Sequence, residues 1–466
     1  MENSRSFSAI AKDFSGIAKG FSGIAKVLGV AGVMGLLGLL GLFGLMMASC
    51  SSDKGGDGIP LVDLCGGLKN VERVMLSEVA APVGDAGKAG DAGKVGDAGK
   101  AGDAGVESIR YIPLETMEQC LVGSSHLDFE VKPGVGFFVK TMRSEVGAHF
   151  FGPDGKFIRS IGKRGRAKGE FVFNSNVVLA HDRDEIAIGS PQKTVVYNLE
   201  NEFLREILYD TLASRSPFIS WLQYLGNGRY ANMCSFPMEE AGNPNIYMAT
   251  FGDEGKMDGL YPVMEEDVSI MGIGSGGDVI EKKRFVTMGM GYTLNGEFVY
   301  TRVAEDTLFK FDENFKLVPH MAFDYGMYKN LEWEKQVRFE QGGKSVKQIG
   351  DKFLFRMRGP MELSKIGTTS SMADIFYTFL MVYDMKTGNI RCVEKNQQMD
   401  IIGLENDLDG GAPFYPDNVV GKKMYQIMDA ITFLEAAQKS TSAKMKEVAA
   451  SLTEDSNPVI IEVTLR

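Results

Sequence analysis

The fold is predicted from the stretch His149-Phe150-Phe151-Gly152-Pro153-Asp154-Gly155-Lys156-Phe157-Ile158-Arg159-Ser160-Ile161-Gly162. Its Pro-Asp-Gly centre separates two runs of aromatic and β-branched residues. This pattern is typical of a β-hairpin, because proline presets φ for a turn and glycine accepts a positive φ. The Gly-, Lys- and Arg-rich residues 163–169 cannot continue a strand. They therefore predict a connection to the next sheet.

The same order of strand, polar turn and strand returns three times downstream, over residues 193–207, 306–318 and 380–393. No long helical periodicity separates the copies. Hairpins that recur in this way are typical of small antiparallel sheets arranged around an axis. The sequence therefore predicts an all-β fold, a β-propeller.

Length and charge limit the possible organisation. The chain has 466 residues, 44% of them hydrophobic, and a net charge of −11, which argues against nucleic acid as the main partner. We predict a propeller domain over residues 107–466, in which strands near residues 108–114 and 457–465 close the ring in one shared sheet. The length fits six blades with insertions, or seven. Short helices are predicted over residues 430–439 and 442–452.

The N-terminal 49 residues predict an export signal. Residues 6–26 repeat three times a heptad that ends in lysine, which gives a cationic leading segment. Residues 27–49 are almost wholly apolar. Met47-Ala48-Ser49-Cys50 resembles the lipobox of bacterial lipoproteins, which implies acylation of Cys50 and an outer-membrane lipoprotein on the periplasmic or cell-surface face. The alternative is an uncleaved transmembrane helix, because the apolar run is long enough to span a bilayer.

Residues 50–106 predict a disordered tether. Their core repeats the hexad Gly84-Asp85-Ala86-Gly87-Lys88-Ala89, which has too little apolar surface to offset the entropy of ordering. A flexible coil of about 56 residues would have an r.m.s. reach of roughly 40 Å.

The folded part resembles the six-bladed β-propeller lipoproteins of Gram-negative anaerobes, of the TolB-like and NHL-like kind. One departure is Ala167-Lys168, where that family usually has Gly-Pro before Gly169. The resemblance implies a secreted, lipid-anchored propeller and no settled activity. It is carried by residues 111–116, 120–123, 155–162, 306–311, 323–326 and 454–459.

No motif in the sequence establishes a reaction. The four histidines are scattered singly and the cysteines lie far apart, so we predict no catalytic residue, no metal centre and no cofactor. Residues 182–185 and 265–267 are acidic runs that could hold Ca²⁺, although neither has the ligand spacing of a known loop.

Two groups of residues are candidates for binding. Lys163, Arg164, Arg166 and Lys168 form the densest positive run and could contact an anion or an acidic glycan; the alternative is a solvated connection between blades. The aromatic candidates could stack on a sugar or a partner side chain, or could pack between blades. They are Trp221, Tyr224 and Trp333.

Three functions remain open at this point. The first is a lipid-anchored, extracytoplasmic binding module for a protein or glycan partner. The second is a propeller hydrolase or lyase with a metal in the central channel, and the third is an envelope scaffold without a ligand. Convergence of carboxylate, amide or imidazole groups at one channel mouth would favour the enzyme.

Overall fold

A computed structural model describes residues 58–80 and 106–465 with short gaps. Cys50, residues 1–49 and the hexad repeats lie outside the described residues. The gaps are 124–127, 141–144, 173–175, 191–192, 210–219, 236–245, 263–269, 274–278, 283–289, 295–296, 302–305, 330–336, 340–344, 361–362, 364–365 and 370–376.

The first elements in chain order precede the ring or close it. They are β1 (Leu61–Asp63), α1 (Leu64–Gly67), β2 (Val71–Glu72), α2 (Leu76–Val79) and β3 (Val106–Pro113).

Six small antiparallel sheets follow and form the ring, so the predicted six-bladed propeller is confirmed. Blade 1 contains β4 (Phe129–Lys132), β5 (Gly136–Lys140), β6 (Ala148–Phe151) and β7 (Phe157–Ile161). Blade 2 contains β8 (Asn176–Ala180), β9 (Glu185–Ser190), β10 (Lys193–Asn198) and β11 (Phe203–Leu208). Blade 3 contains β12 (Ser220–Gly226), β13 (Arg229–Ser235), β14 (Ile246–Gly252) and β15 (Met257–Pro262).

A two-stranded ribbon, β16 (Ile270–Ile273) and β17 (Val279–Lys282), separates blades 3 and 4 in the sequence. Blade 4 contains β18 (Met290–Leu294), β19 (Glu297–Thr301), β20 (Thr307–Phe311) and β21 (Leu317–Asp324). Blade 5 contains β22 (Arg338–Phe339), β23 (Val346–Ile349), β24 (Lys352–Gly359), β25 (Thr368–Thr369), β26 (Tyr377–Asp384) and β27 (Ile390–Val393). Blade 6 contains β28 (Asn418–Val420), β29 (Lys423–Met428), β30 (Val459–Leu465) and β3.

The ring is closed by the two ends of the domain. Strand β3 pairs antiparallel with β30, with Ile109 opposite Val463 and Tyr111 opposite Ile461. The innermost strands β4, β8, β12, β18, β23 and β28 contact one another in that order, and β28 contacts β4 again. The predicted closure by the terminal strands is therefore confirmed.

The hydrophobic core is divided among the junctions between blades. Six buried clusters are present, one at each junction. Because side chains alternate along a strand, neighbouring residues enter different clusters. Val177 packs towards blade 1 and Val178 packs towards blade 3. Each sheet is thus buried on both faces by its neighbours.

In blades 1 to 4 the turn between the third and fourth strands contacts the preceding blade. In each of blades 1 to 5 this turn contains one residue with positive φ. In blade 2, Asn201 has φ of 67° and its side-chain oxygen accepts a hydrogen bond of 2.8 Å from the Gly162 amide of blade 1. The corresponding residues are Gly155, Asn201, Gly255, Phe315 and Gly388.

The two faces of the ring differ in the length of the segments that connect the strands. Antiparallel strands alternate in direction, so the turns between first and second and between third and fourth strands emerge on one side, which we name the turn face. These turns contain two to five residues. The remaining connections emerge on the opposite side, the connection face, and include fourteen residues between β7 and β8, twenty-four between β27 and β28 and thirty between β29 and β30.

Two helices lie within the connection from β29 to β30: α3 (Ala430–Lys439) and α4 (Ala443–Ala449). The Asp429 carboxylate caps α3 by accepting from the Thr432 amide, and the Ser442 hydroxyl caps α4 by accepting from the Met445 amide. Buried Phe433 and Met445 join the cluster between blades 5 and 6. Among the described residues no helix is long and apolar enough to cross a membrane.

The tether predicted for residues 50–106 is wrong for residues 58–80, which are folded against the ring. Strand β1 pairs parallel with β21 at the outer edge of blade 4, and β2 pairs parallel with β27 at the outer edge of blade 5. We name residues 58–80 the rim strap. Its apolar residues lie between two Gly-rich stretches and are buried in two groups, one over residues 62–68 and one over residues 74–80.

The locked turns generate a stability prediction. Gly155 and Gly388 occupy equivalent turns with φ of 83° and 69°, but a Cβ on Gly155 would overlap the Pro113 carbonyl oxygen, whereas Gly388 has open space. Gly388→Ala should cost about 1 kcal/mol of unfolding free energy for the backbone conformation alone. Gly155→Ala should cost about 3 kcal/mol because the overlap adds to it. Urea denaturation of both variants gives the comparison, and equal losses would contradict the lock.

Candidate functional site

The residues predicted to bind are dispersed over the ring. Cys50 and Trp333 lie outside the described residues, and Trp221 lies in β12, the innermost strand of blade 3, with its side chain outside the description. Tyr224 lies on the same strand rather than on a loop between blades. The structure therefore does not bring the aromatic candidates and the basic run into one described site.

The basic run 163–168 lies on the connection face between blades 1 and 2. Lys163 is 3.1 Å from the Glu170 carboxylate, and the Lys168 ammonium lies 5.8 Å from the centre of the Phe203 ring. The amide of Ala167 and the Lys163 ammonium hold the pKa of Glu170 below its usual range. All four basic side chains are exposed, and Arg166 has no ion pair with a carboxylate in the described part of the chain. The run is therefore an exposed loop in which ion pairs with nearby carboxylates neutralise part of the positive charge.

Tyr224 is held by the turn of the neighbouring blade. Its hydroxyl donates to Asp182 and accepts a hydrogen bond of 2.9 Å from the Gly228 amide. Burial and the Asp182 carboxylate raise its pKa to about 12. Its ring packs edge-on against Tyr230, with 5.1 Å between the ring centres. These contacts join blades 2 and 3.

The acidic run 182–185 is engaged by separate protein donors. Asp182 binds Tyr224 and the Asn227 amide, Asp184 pairs with Lys132, and Glu185 forms a two-point ion pair with Arg205. The second acidic run, 265–267, lies outside the described residues. Where the structure describes side chains, no group of three or more His, Cys, Asp or Glu residues could hold a metal ion.

A compact charged group lies at the connection-face mouth of the central channel. The Lys140 ammonium is 2.7 Å from an Asp128 oxygen, 3.4 Å from a Glu130 oxygen and 3.1 Å from the Asn176 side-chain oxygen. Burial lowers the pKa of Lys140, but the two carboxylates outweigh burial and raise the pKa above its ordinary value. The ammonium therefore stays charged and occupies the point at which these three oxygens converge.

Two asparagines connect the innermost strands around this mouth. The Asn176 amide group donates to the Leu222 carbonyl of blade 3 at 2.6 Å. The Asn418 amide group donates to the Phe129 carbonyl of blade 1 at 2.8 Å. Because these bonds join successive blades at the first residues of their inner strands, they fix the shape of the channel mouth.

A row of four cations lies on one face of blade 5, near the same end of its strands. Arg338 on β22 is directly opposite Arg358 on β24. Lys347 and Arg356 share that face, because the alternate residues of β23 and β24 enter the cluster between blades 4 and 5. Arg338 and Lys347 are buried, and each of the four residues has an interaction partner.

The cation row faces blade 6, where it meets an aromatic ring. The Arg356 guanidinium lies 4.9 Å from the centre of the buried Tyr415 ring. A guanidinium has five donors, so it can bind a protein group and a further anionic oxygen together. The row is a concentration of positive charge in a chain of net charge −11.

Sequence reasoning missed both charged groups. Strand alternation could have found part of each, because Asp128 and Glu130 are two residues apart, as are Arg356 and Arg358. The partners Lys140, Asn176 and Arg338 come from other strands. Their positions depend on the pairing register, which no local signal reports.

The Lys140 group generates the second prediction. Lys140→Met leaves two partly buried carboxylates facing each other without their cation, so the free energy of unfolding should fall by about 3 kcal/mol. Lys140→Arg keeps the charge and should cost less. Adding Asp128→Asn and Glu130→Gln to the methionine variant should recover part of the loss. Urea denaturation at pH 7 measures all three, and a methionine variant as stable as the parent would contradict the prediction.

Comparison with known proteins finds solved structures of low sequence identity and one matching family. A search of curated protein sequences finds no match. A Bacteroides fragilis protein named as exported is similar in structure, with 14% identity over 77% of this chain and 95% of its own and a TM-score of 0.47. A member of the DUF4221 family from Bacteroides vulgatus has 11% identity over 78% and 97%, with a TM-score of 0.43. Virginiamycin B lyase from Staphylococcus aureus has 9% identity over 77% and 99%, with a TM-score of 0.33.

These likenesses concern the course of the chain and carry no statement about activity. The resemblance to TolB-like and NHL-like lipoproteins stays a prediction. A family model described as a domain of unknown function (DUF4934) matches residues 100–464, and the chain therefore belongs to that family.

Proposed function

We propose that this chain is a lipid-anchored, extracytoplasmic propeller that holds a protein or glycan partner on its connection face. The observation that carries the proposal is the difference in length between the connecting segments on the two faces of the ring. Turns of two to five residues cover the turn face, whereas connections of fourteen and twenty-four residues cover the other. Binding residues in proteins concentrate on long loops that a rigid scaffold positions.

The charged groups support the same face. The Lys140 group, the cation row of blade 5 and the exposed run 163–168 all lie where strands meet the connection face. A partner that reaches over the channel mouth would meet the exposed positive side chains on the loop between blades 1 and 2. This distribution suits a partner with carboxylate or sulfate groups, such as an acidic glycan or an acidic protein surface.

The anchor is supported by the sequence of the first 50 residues. An apolar run over residues 27–49 ends in Met47-Ala48-Ser49 and is followed directly by Cys50, which would carry the acyl chains. Several chains are needed for stable attachment, because one acyl chain binds membranes only marginally. We propose the outer membrane as the location, on its periplasmic or cell-surface side.

Acylation generates the third prediction. Cys50→Ala in the full chain should abolish incorporation of radiolabelled palmitate in a Gram-negative host, because the substituted residue has no thiol to acylate. Cys120→Ala is the matched control, since its thiol is buried and should leave labelling unchanged. Persistent labelling of the Cys50 variant would refute the lipid anchor.

The binding face generates the fourth prediction. Met327 is exposed on the connection face beside β21, and Met385 is exposed in the β26–β27 turn on the opposite face. A photo-crosslinking residue at position 327 should capture a partner in the native envelope, whereas the same residue at position 385 should not. Mass spectrometry of the adducts distinguishes peptide from sugar. Adducts only from position 385, or from neither position, would contradict the proposal.

A further inference from the structure

The rim strap follows the outer edges of two blades in succession. Its first strand places Leu61 opposite Ala322 and Asp63 opposite Asp324 of β21. The Pro60 carbonyl accepts a hydrogen bond of 2.8 Å from the Ala322 amide. The chain then crosses to blade 5, where β2 lies along β27. The strap therefore begins against the outermost strand of blade 4.

The strap is held by burial as well as by strand pairing. Val62 and Leu64 belong to the cluster between blades 4 and 5, while Val74 and Leu76 belong to the cluster between blades 5 and 6. Each buried aliphatic side chain contributes roughly 1.5–3 kcal/mol. The strap's end is fixed by polar contacts: the Leu76 amide donates to the Glu405 carbonyl at 2.9 Å, Ser77 binds Asp407, and Glu78 pairs with Arg391.

Both ends of the hexad-repeat segment are therefore attached to the ring. Ala80 ends the strap beside the cluster between blades 5 and 6, and Val106 begins β3 in blade 6. Whatever the length of the repeats, they connect two fixed points of one body. They cannot add distance between the ring and an anchor that lies before the strap.

We infer that the rim strap, and not the repeat segment, sets how far and in which orientation the propeller stands from the lipid bilayer. This inference rests on the membrane anchor proposed above. It holds equally for an acylated Cys50 and for a transmembrane helix over residues 27–49, because both end near residue 50.

The difference in reach is large. From Cys50 to Leu61 the chain has about eleven residues, which can span at most about 40 Å. A free tether of about 56 residues would have an r.m.s. reach of roughly 40 Å and a far greater maximum. An anchor at residue 50 would therefore keep the rim of blade 4 within about 40 Å of the bilayer.

Matched insertions test the inference in the full chain, lipidated and reconstituted into vesicles of phosphatidylethanolamine and phosphatidylglycerol. A Gly/Ser insert of 20 residues is placed either between Ser52 and Asp53 or between Lys94 and Val95. Energy transfer to a lipid dye is measured from a fluorophore at Glu313 in the turn before β21. The first insert should increase the mean distance by roughly 10 Å, and the second should leave it unchanged.

Orientation gives an independent readout without an insert. Asp154 occupies the same turn in blade 1 that Glu313 occupies in blade 4, on the opposite side of the ring, and both are exposed. A fluorophore at Glu313 should lie closer to the lipid dye than one at Asp154. Equal distances from the two positions, or equal effects of the two inserts, would overturn the inference.

Failure of the anchor is distinguishable from failure of the strap. If the chain does not associate with vesicles, the anchor and this inference both fail. Hydrogen exchange of residues 61–79 in detergent then still reports on the strap, which should exchange as slowly as β21 and β27. Rapid exchange there, with membrane association intact, would overturn the inference while leaving the proposed function in place.

Discussion

No blade of this ring can bury its hydrophobic residues alone, and that constraint governs the whole structure. Val177 and Val178 are sequential residues of one strand, yet each belongs to a different interblade cluster. Every sheet therefore needs a neighbour on both sides. An open row of six such sheets would expose one apolar face at each end, and closure is the arrangement that leaves none exposed.

The ring is closed by the pairing of β3 with β30. Side-chain contacts stabilise this pairing in addition to the hydrogen bonds between the strands. The Tyr111 hydroxyl lies 3.0 Å from Asp409, and the same carboxylate accepts from the Ser442 hydroxyl at 2.6 Å. Tyr111 also packs edge-on against Phe433 of α3. The helices predicted near the C-terminus thus lie against the closing strand and tie it to the connection between blades 5 and 6.

The fold was predictable because its signals are local. Pro153, Asp154 and Gly155 specify a turn from three adjacent residues. The turn at Gly388 likewise has a glycine at the position where φ is positive. The turn at Phe315 is harder to recognise, because a bulky residue adopts φ of 58° there. Its carbonyl accepts from the Tyr261 hydroxyl of blade 3 at 2.9 Å, and Arg229 packs over its ring. Tertiary contacts hold a conformation that local sequence does not favour.

The rim strap was not predictable from composition, and the reason is physical. A segment of 23 residues with two short strands and two short helices has no core of its own, so its stability comes wholly from the edges of blades 4 and 5. Averaged with the Gly-rich repeats that follow, its apolar residues indicate a tether. The parallel pairing of β1 with β21 joins residues about 260 positions apart, for which the sequence gives no local signal.

The two charged groups at the channel mouth differ in what they offer to a partner. Around Lys140 the carboxylates already have their cation, and burial makes exchange of that ammonium for another ion costly. The group is therefore a structural joint between blades 1 and 2. Blade 5 instead places Arg338 and Arg358 opposite each other, an arrangement that like-charge repulsion disfavours between paired strands. Both residues have interaction partners, so an acidic group of another molecule would meet charges that the protein already engages.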